Sequence, residues 1–202
     1  MFERINGKQA LLNYLRTIKS YHPSIDVEKS FITTRNAINA FKKNTRLPDE
    51  YYEVENRWYR SLVQGKPDYS VYGSNYFNTT EVWLCWSIYS RKYIQSFTNR
   101  KILPNGSTII EDLGQIKTVG DLGCGCGYTT GYLKEMFPRA TVKGTNVPGT
   151  IQFKHASELG KRFKFEVTNK VENLGQCDLI FASEYFEHII NPIEHLEDVI
   201  KY

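Results

Sequence analysis

The spacing of apolar positions changes character part-way along the chain. Over the first hundred residues they recur at three- and four-residue intervals, which predicts helices. Leu11, Leu12, Leu15 and Ile18 form one such stripe. Asp26 stands where it can cap a second helix carrying Phe31, Ile38 and Phe41. After Leu47-Pro48, the residues Tyr51, Val54, Trp58 and Leu62 share a face of a third helix, and Gly65-Lys66-Pro67-Asp68 marks a turn. Asn78-Thr79-Thr80-Glu81 reads as a capping box. It opens a helix with Val82, Trp86, Tyr89, Tyr93 and Phe97 on one face, and Leu103-Pro104-Asn105-Gly106 ends the region.

From Thr118 onward short apolar runs alternate with helical stretches. Val119 to Leu122, Thr141 to Asn146, Arg162 to Val167 and Asp178 to Ala182 read as strands. Thr129 to Phe137 is a helix stopped by Pro138, and Thr150 to Leu159 is one with Gly160 as its stop. Asn191-Pro192-Ile193-Glu194 signals the start of a last helix that runs to Tyr202: a cap, Pro at the first position, then Glu. Strands alternating with helices predict a parallel, doubly wound α/β sheet. The expected division is a helical region over 1–110 and a sheet domain over 111–202.

Composition narrows the classes. With 202 residues, 41% apolar and 24% charged, the chain is globular rather than disordered. No apolar run approaches the ~20 residues that span a bilayer, and Met1-Phe2-Glu3-Arg4 lacks the layout of a signal peptide. The four cysteines, Cys85, Cys124, Cys126 and Cys177, form no Cys-x-x-Cys pair, which argues against a disulfide framework or a structural zinc. A cytoplasmic protein without a membrane partner is expected. Charge is uneven. Residues 1–110 carry 16 Lys and Arg against 9 Asp and Glu, whereas residues 111–202 carry 10 against 13. The basic half suits an anionic partner. Trp58, Tyr69, Tyr72, Tyr76, Trp83 and Trp86 interleave there with Arg57, Arg60, Lys66, Arg91 and Lys92, a mixture that can stack on and neutralise nucleotides, although a helical aromatic stripe is more often core.

The most informative segment is Asp121-Leu122-Gly123-Cys124-Gly125-Cys126-Gly127, between a predicted strand and a predicted helix. Glycines let a backbone turn tightly and approach a ligand, and the next helix offers free N–H groups. A nicotinamide fingerprint wants Gly-x-Gly-x-x-Gly, and position 128 is Tyr. The segment resembles motif I of class I S-adenosylmethionine-dependent methyltransferases, and the resemblance runs from about Val119 to Tyr202. Ala182-Ser183-Glu184-Tyr185-Phe186-Glu187-His188 resembles the stretch after the fourth strand in small-molecule and RNA members of that group. It does not look like the Asn-Pro-Pro-Tyr or Pro-Cys motifs of DNA-modifying members.

The resemblance implies a Rossmann-like sheet of strand order 3-2-1-4, truncated relative to the family's seven strands, with a helical N-terminal lid. It implies S-adenosylmethionine as cofactor. Asp121, Gly123, Gly125 and Gly127 would cradle its methionine part, Asn146 would meet the ribose, Asn169 would lie near the adenine, and Ser183 would line the site. The family's usual acid at the second strand's end is replaced by Asn146, and its frequent Asp after the third strand by Asn169. Glu184 and His188 are the catalytic candidates, as general base or in positioning. Together with Glu187 they could bind a divalent ion, as the pattern does in small-RNA 2′-O-methyltransferases, but no metal is assigned. The expected activity is methyl transfer to an O or N acceptor on a small molecule, RNA or nucleotide. The alternative is a non-catalytic or partner-dependent cofactor-binding subunit, with a partner chain or dimer covering the unpaired fourth-strand edge. Cys124 and Cys126 are read as structural, His22 and His155 as lone histidines, and His195 as a surface residue.

Overall fold

The structure, a computed structural model, describes residues 12, 15, 16, 19, 20, 26–43, 49–74 and 115–202. The chain divides into two compact units, Met1–Ser87 and Ile88–Tyr202. The expected boundary at 110, the helix after Asn78, the stop at Leu103-Pro104 and the aromatics Tyr76, Trp83 and Trp86 lie outside the described residues.

In the first unit, Leu12 and Leu15 are helical, and Leu15 is fully buried. Helix α1 spans Val27–Lys42. Asp26 caps it as expected: its carboxylate accepts from the backbone N–H groups of Glu28 and Lys29, both at 3.0 Å. Helix α2 spans Asp49–Val63 and buries Trp58 among Tyr51, Val54 and Leu62 of the predicted stripe, together with Tyr72. Gly65, at φ 65°, turns the chain back, and Ser61 holds the turn by donating to the Trp58 carbonyl and accepting from Asp68 N–H. Trp58 is therefore core rather than a stacking surface, its ring tilted against Tyr69 and Tyr72. Arg57 pairs with Asp68 at 3.1 Å.

The second unit holds a four-stranded, wholly parallel sheet: β1 (Thr118–Leu122), β2 (Thr141–Thr145), β3 (Glu166–Thr168) and β4 (Leu179–Ala182), in the order β3-β2-β1-β4. This is the Rossmann-like α/β arrangement expected from the sequence. Helices α3 (Tyr128–Met136) and α4 (Ile151–Phe163) connect β1 to β2 and β2 to β3, and α5 (Pro192–Val199) follows β4. Alternate strand residues point to opposite faces. Gly120 and Leu122 look toward Leu174, Ile180 and Val199 of α5, whereas Asp121 and Gly144 look toward α3. The sheet is thus covered on both faces. No described helix is long and apolar enough to cross a membrane.

Three local expectations are corrected and a fourth is refined. Gly160 does not stop α4. The helix continues to Phe163 and ends on Lys164, whose φ of 62° is left-handed and whose N–H bonds the Gly160 carbonyl. Gly160 is small for a packing reason, since a Cβ there would meet the Phe165 carbonyl at 2.5 Å. The third strand accordingly starts at Glu166, not Arg162. Asn191 stands at the N-cap of α5 as expected, its carbonyl accepting from His195 N–H at 3.0 Å, but its side chain makes no cap bond and instead donates to the Glu194 carboxylate at 3.2 Å. His195 is not a surface residue but is half-buried and bonded to Tyr185 at 2.8 Å.

Candidate functional site

Parallel strands bring their carboxyl ends to one edge. Here each strand is followed at once by a candidate: Leu122 by Gly123, Thr145 by Asn146, Thr168 by Asn169 and Ala182 by Ser183. Connections run one way from β1 to β3 and the other way to β4, so the crevice between β1 and β4 is the topological switch point. Open α/β sheets bind ligands there.

Three glycines of the loop have left-handed backbone, at φ 65° for Gly123, 52° for Gly125 and 83° for Gly127. Their surroundings differ. A Cβ on Gly123 would meet the Tyr185 ring at 2.5 Å, and one on Gly127 would meet Phe165 at 3.0 Å and Ala156 at 3.1 Å. Among the described residues, a Cβ on Gly125 would meet nothing within 4 Å. Packing therefore explains two of the glycines. Gly125 keeps an open backbone surface beside the switch point, the form a ligand-cradling loop needs.

Asp121 is 2% exposed and accepts from the Thr129 hydroxyl at 2.7 Å and the Thr130 hydroxyl at 2.6 Å, at the first turn of α3. Burial pushes its carboxyl up to about 6, opposed by those two bonds. Its structural work is to tie β1 to α3. Asn146 lies at the end of β2 with its amide engaged: it donates to the Gly125 carbonyl at 2.5 Å and accepts from Val147 N–H at 2.8 Å. Asn169 is exposed after β3, and Ser183 is half-buried after β4.

Glu184 and His188 do not share a helical face. Glu184 adopts φ 51°, and the chain then makes a short 3-10 turn over Phe186–His188. A turn still brings the pair near one another. Burial lowers the His188 pKa, and the Glu184 charge opposes that shift. Glu187 lies 4.0 Å from His188 Nε2. Among the described residues no group of three or more His, Cys, Asp or Glu side chains could hold a metal ion.

Tyr185 and His195 escaped the sequence reading. The Tyr185 ring rests on Gly123, and its hydroxyl meets His195 of α5. The signal was present in the adjacency of Tyr185 to Glu184, but only the fold turns the ring toward the loop. Cys124 is buried against Gly144, and burial pushes its thiol well up, which leaves it a packing residue as expected. His155 is buried in α4 beside the Tyr128 hydroxyl at 3.4 Å.

No protein-family model matches the chain, and no curated protein matches it. Solved structures do. The plantazolicin methyltransferase BpumL in complex with SAH is similar over 74% of this chain and 58% of its own, at 16% identity and a TM-score of 0.47. The same enzyme with a pentazolic desmethylPZN analog and SAH is similar over 96% and 55%, at 18% identity and a TM-score of 0.39. The chain spans a little over half the length of these structures.

Proposed function

We propose that the sheet unit is an S-adenosylmethionine-dependent methyltransferase domain acting on an O or N acceptor of a small molecule, RNA or nucleotide. The observation that carries this reading is Gly125: a left-handed glycine that no described residue approaches within 4 Å on its Cβ side, at the carboxyl end of β1 beside the switch point. The motif in which it sits supports the same assignment. Gly123, Gly125 and Gly127 would hold the methionine part, with Asn146, Asn169 and Ser183 along the same edge. When bound, the cofactor supplies an electrophilic methyl group. The chain's own task is to exclude water, orient the acceptor and take its proton where it carries one. His188 suits the last role because burial favours its neutral, proton-accepting form, and Glu184 would stabilise the charge it gains.

Calorimetric titration with S-adenosylmethionine and S-adenosylhomocysteine, with NAD as control, tests the reading. Both adenosyl ligands are expected to bind in the micromolar range and NAD not to bind. Gly125→Arg should abolish binding while lowering stability by only about 1–2 kcal/mol, the cost of a side chain at left-handed φ. A folded wild-type chain that binds neither ligand would overturn it.

One feature favours a partner-dependent version. β4 is an edge strand of the described sheet, and Ile190, Ile193, Leu196 and Ile200 after it are 48%, 75%, 45% and 72% exposed. An edge strand of the described sheet beside an apolar stripe suits a second polypeptide segment that pairs with β4.

A further inference from the structure

The end of β2 holds the glycine loop at consecutive residues. The Thr145 hydroxyl accepts from Gly123 N–H at 3.0 Å, the Thr145 carbonyl accepts from Cys124 N–H at 2.9 Å, and the Asn146 amide donates to the Gly125 carbonyl at 2.5 Å. Asn146 is itself fixed. Its N–H donates to the Thr168 carbonyl at 2.9 Å, and its side-chain oxygen takes the Val147 N–H. The loop closes on itself through Gly127 N–H to the Cys124 carbonyl at 2.8 Å.

We infer that Asn146 is a positioning residue: its amide latches Gly125 in the open, left-handed form, rather than reading the ribose of a ligand. The ligand half of this inference rests on the cofactor reading above; the loop half does not. The chemistry requires an amide. A carboxylate has no donor, and at this position it would face the Gly125 carbonyl with lone pairs against lone pairs. The loop conformation therefore selects Asn where an acid would otherwise meet the ribose hydroxyls. Cofactor affinity then depends on the shape of the loop more than on a charge-assisted bond to the sugar.

Asn146→Asp separates the two roles. If Asn146 is a latch, then in the ligand-free variant the amide resonances of Gly123, Gly125 and Gly127 shift, and S-adenosylhomocysteine binds about tenfold more weakly, the scale of one lost hydrogen bond. As a ribose ligand, the new carboxylate would tighten binding and leave the loop resonances unchanged. Either of those results overturns the inference. Asn146→Ala, which removes the donor without adding charge, is the second variant if Asn146→Asp does not fold, and it should move the same resonances. If the wild-type chain binds no adenosyl ligand, the cofactor reading fails, and the ligand-free spectra still decide whether Asn146 is a latch.

Discussion

The two flanks of β1 are built differently. On the β2 side, Val119, Val142, Leu133 and Ala156 are 0–2% exposed, and polar groups such as Asp121, Thr130 and Thr145 are buried with hydrogen-bond partners. On the β4 side, Val199 alone of α5 is buried, while Ile193 and Ile200 are 75% and 72% exposed. The first flank is a finished core that fixes the glycine loop. The second presents apolar surface and, among the described strands, an open edge. The loop's hydrogen bonds thus come from the β2 side of the crevice, with only the Tyr185 ring against Gly123 from the other, and the residues proposed for chemistry, Glu184 and His188, sit on the less buried side. Under the function proposed above, the fixed loop would hold the cofactor and the less buried side would receive the acceptor.

The largest test of this contrast is a core truncation. Leu133→Ala, at a fully buried position of α3, should cost about 2–5 kcal/mol in urea unfolding, from lost burial and a cavity. A loss below 1 kcal/mol would show that the β2 flank is not the packed core it is taken to be.

A middle-sized effect lies in pH dependence. Burial lowers His155 from 6.5 to about 4, so its contribution to stability is complete above pH 6.5 and is lost as pH falls toward 4. Asp121 is raised from 3.8 to about 6, so its contribution is complete below pH 3.8 and is lost as pH rises through 6. Each amounts to on the order of 3 kcal/mol, and between pH 4 and 6 they oppose one another. Relative to wild type, Asp121→Asn should lose stability more steeply on acidification, and His155→Gln should gain it. Thermal melts from pH 4 to 7.5 check both slopes. Variant curves parallel to that of the wild type would contradict the assignment.

The smallest effect belongs to the open flank. Ile200→Lys should change unfolding stability by no more than about 0.5 kcal/mol, as expected for an exposed position. Light scattering should nonetheless show less association with itself or with a β4-pairing partner. A loss above 2 kcal/mol would mean that Ile200 is packed.

Legibility in the sequence tracked how local the cause was. Alternating apolar runs around Asp121–Gly127 were enough for the strand–loop–helix, because period and glycine spacing are short-range signals, whereas the sheet order was implied only by the family resemblance. Asp26 and the Trp58 stripe could be read for the same reason. Gly160 misled because its smallness answers to Phe165, which only tertiary packing brings to it. His195 misled because its partner, Tyr185, lies across a turn and a helix. Glu184 and His188 were expected to meet through helical spacing and instead come near through a left-handed residue and a tight turn.

By itself, then, the sequence determined a parallel sheet alternating with helices and put a glycine loop and three further candidates, Asn146, Asn169 and Ser183, after its strands, since strand and helix follow from local pattern; the order β3-β2-β1-β4 came from the resemblance and is what the fold shows. Only the tertiary structure decided which glycine is open, that Asp121 spends its oxygen on Thr129 and Thr130, and that Asn146 is turned to Gly125. Those outcomes depend on which polar groups become neighbours after folding. A buried donor or acceptor is satisfied by whatever partner the packed chain brings within hydrogen-bond reach.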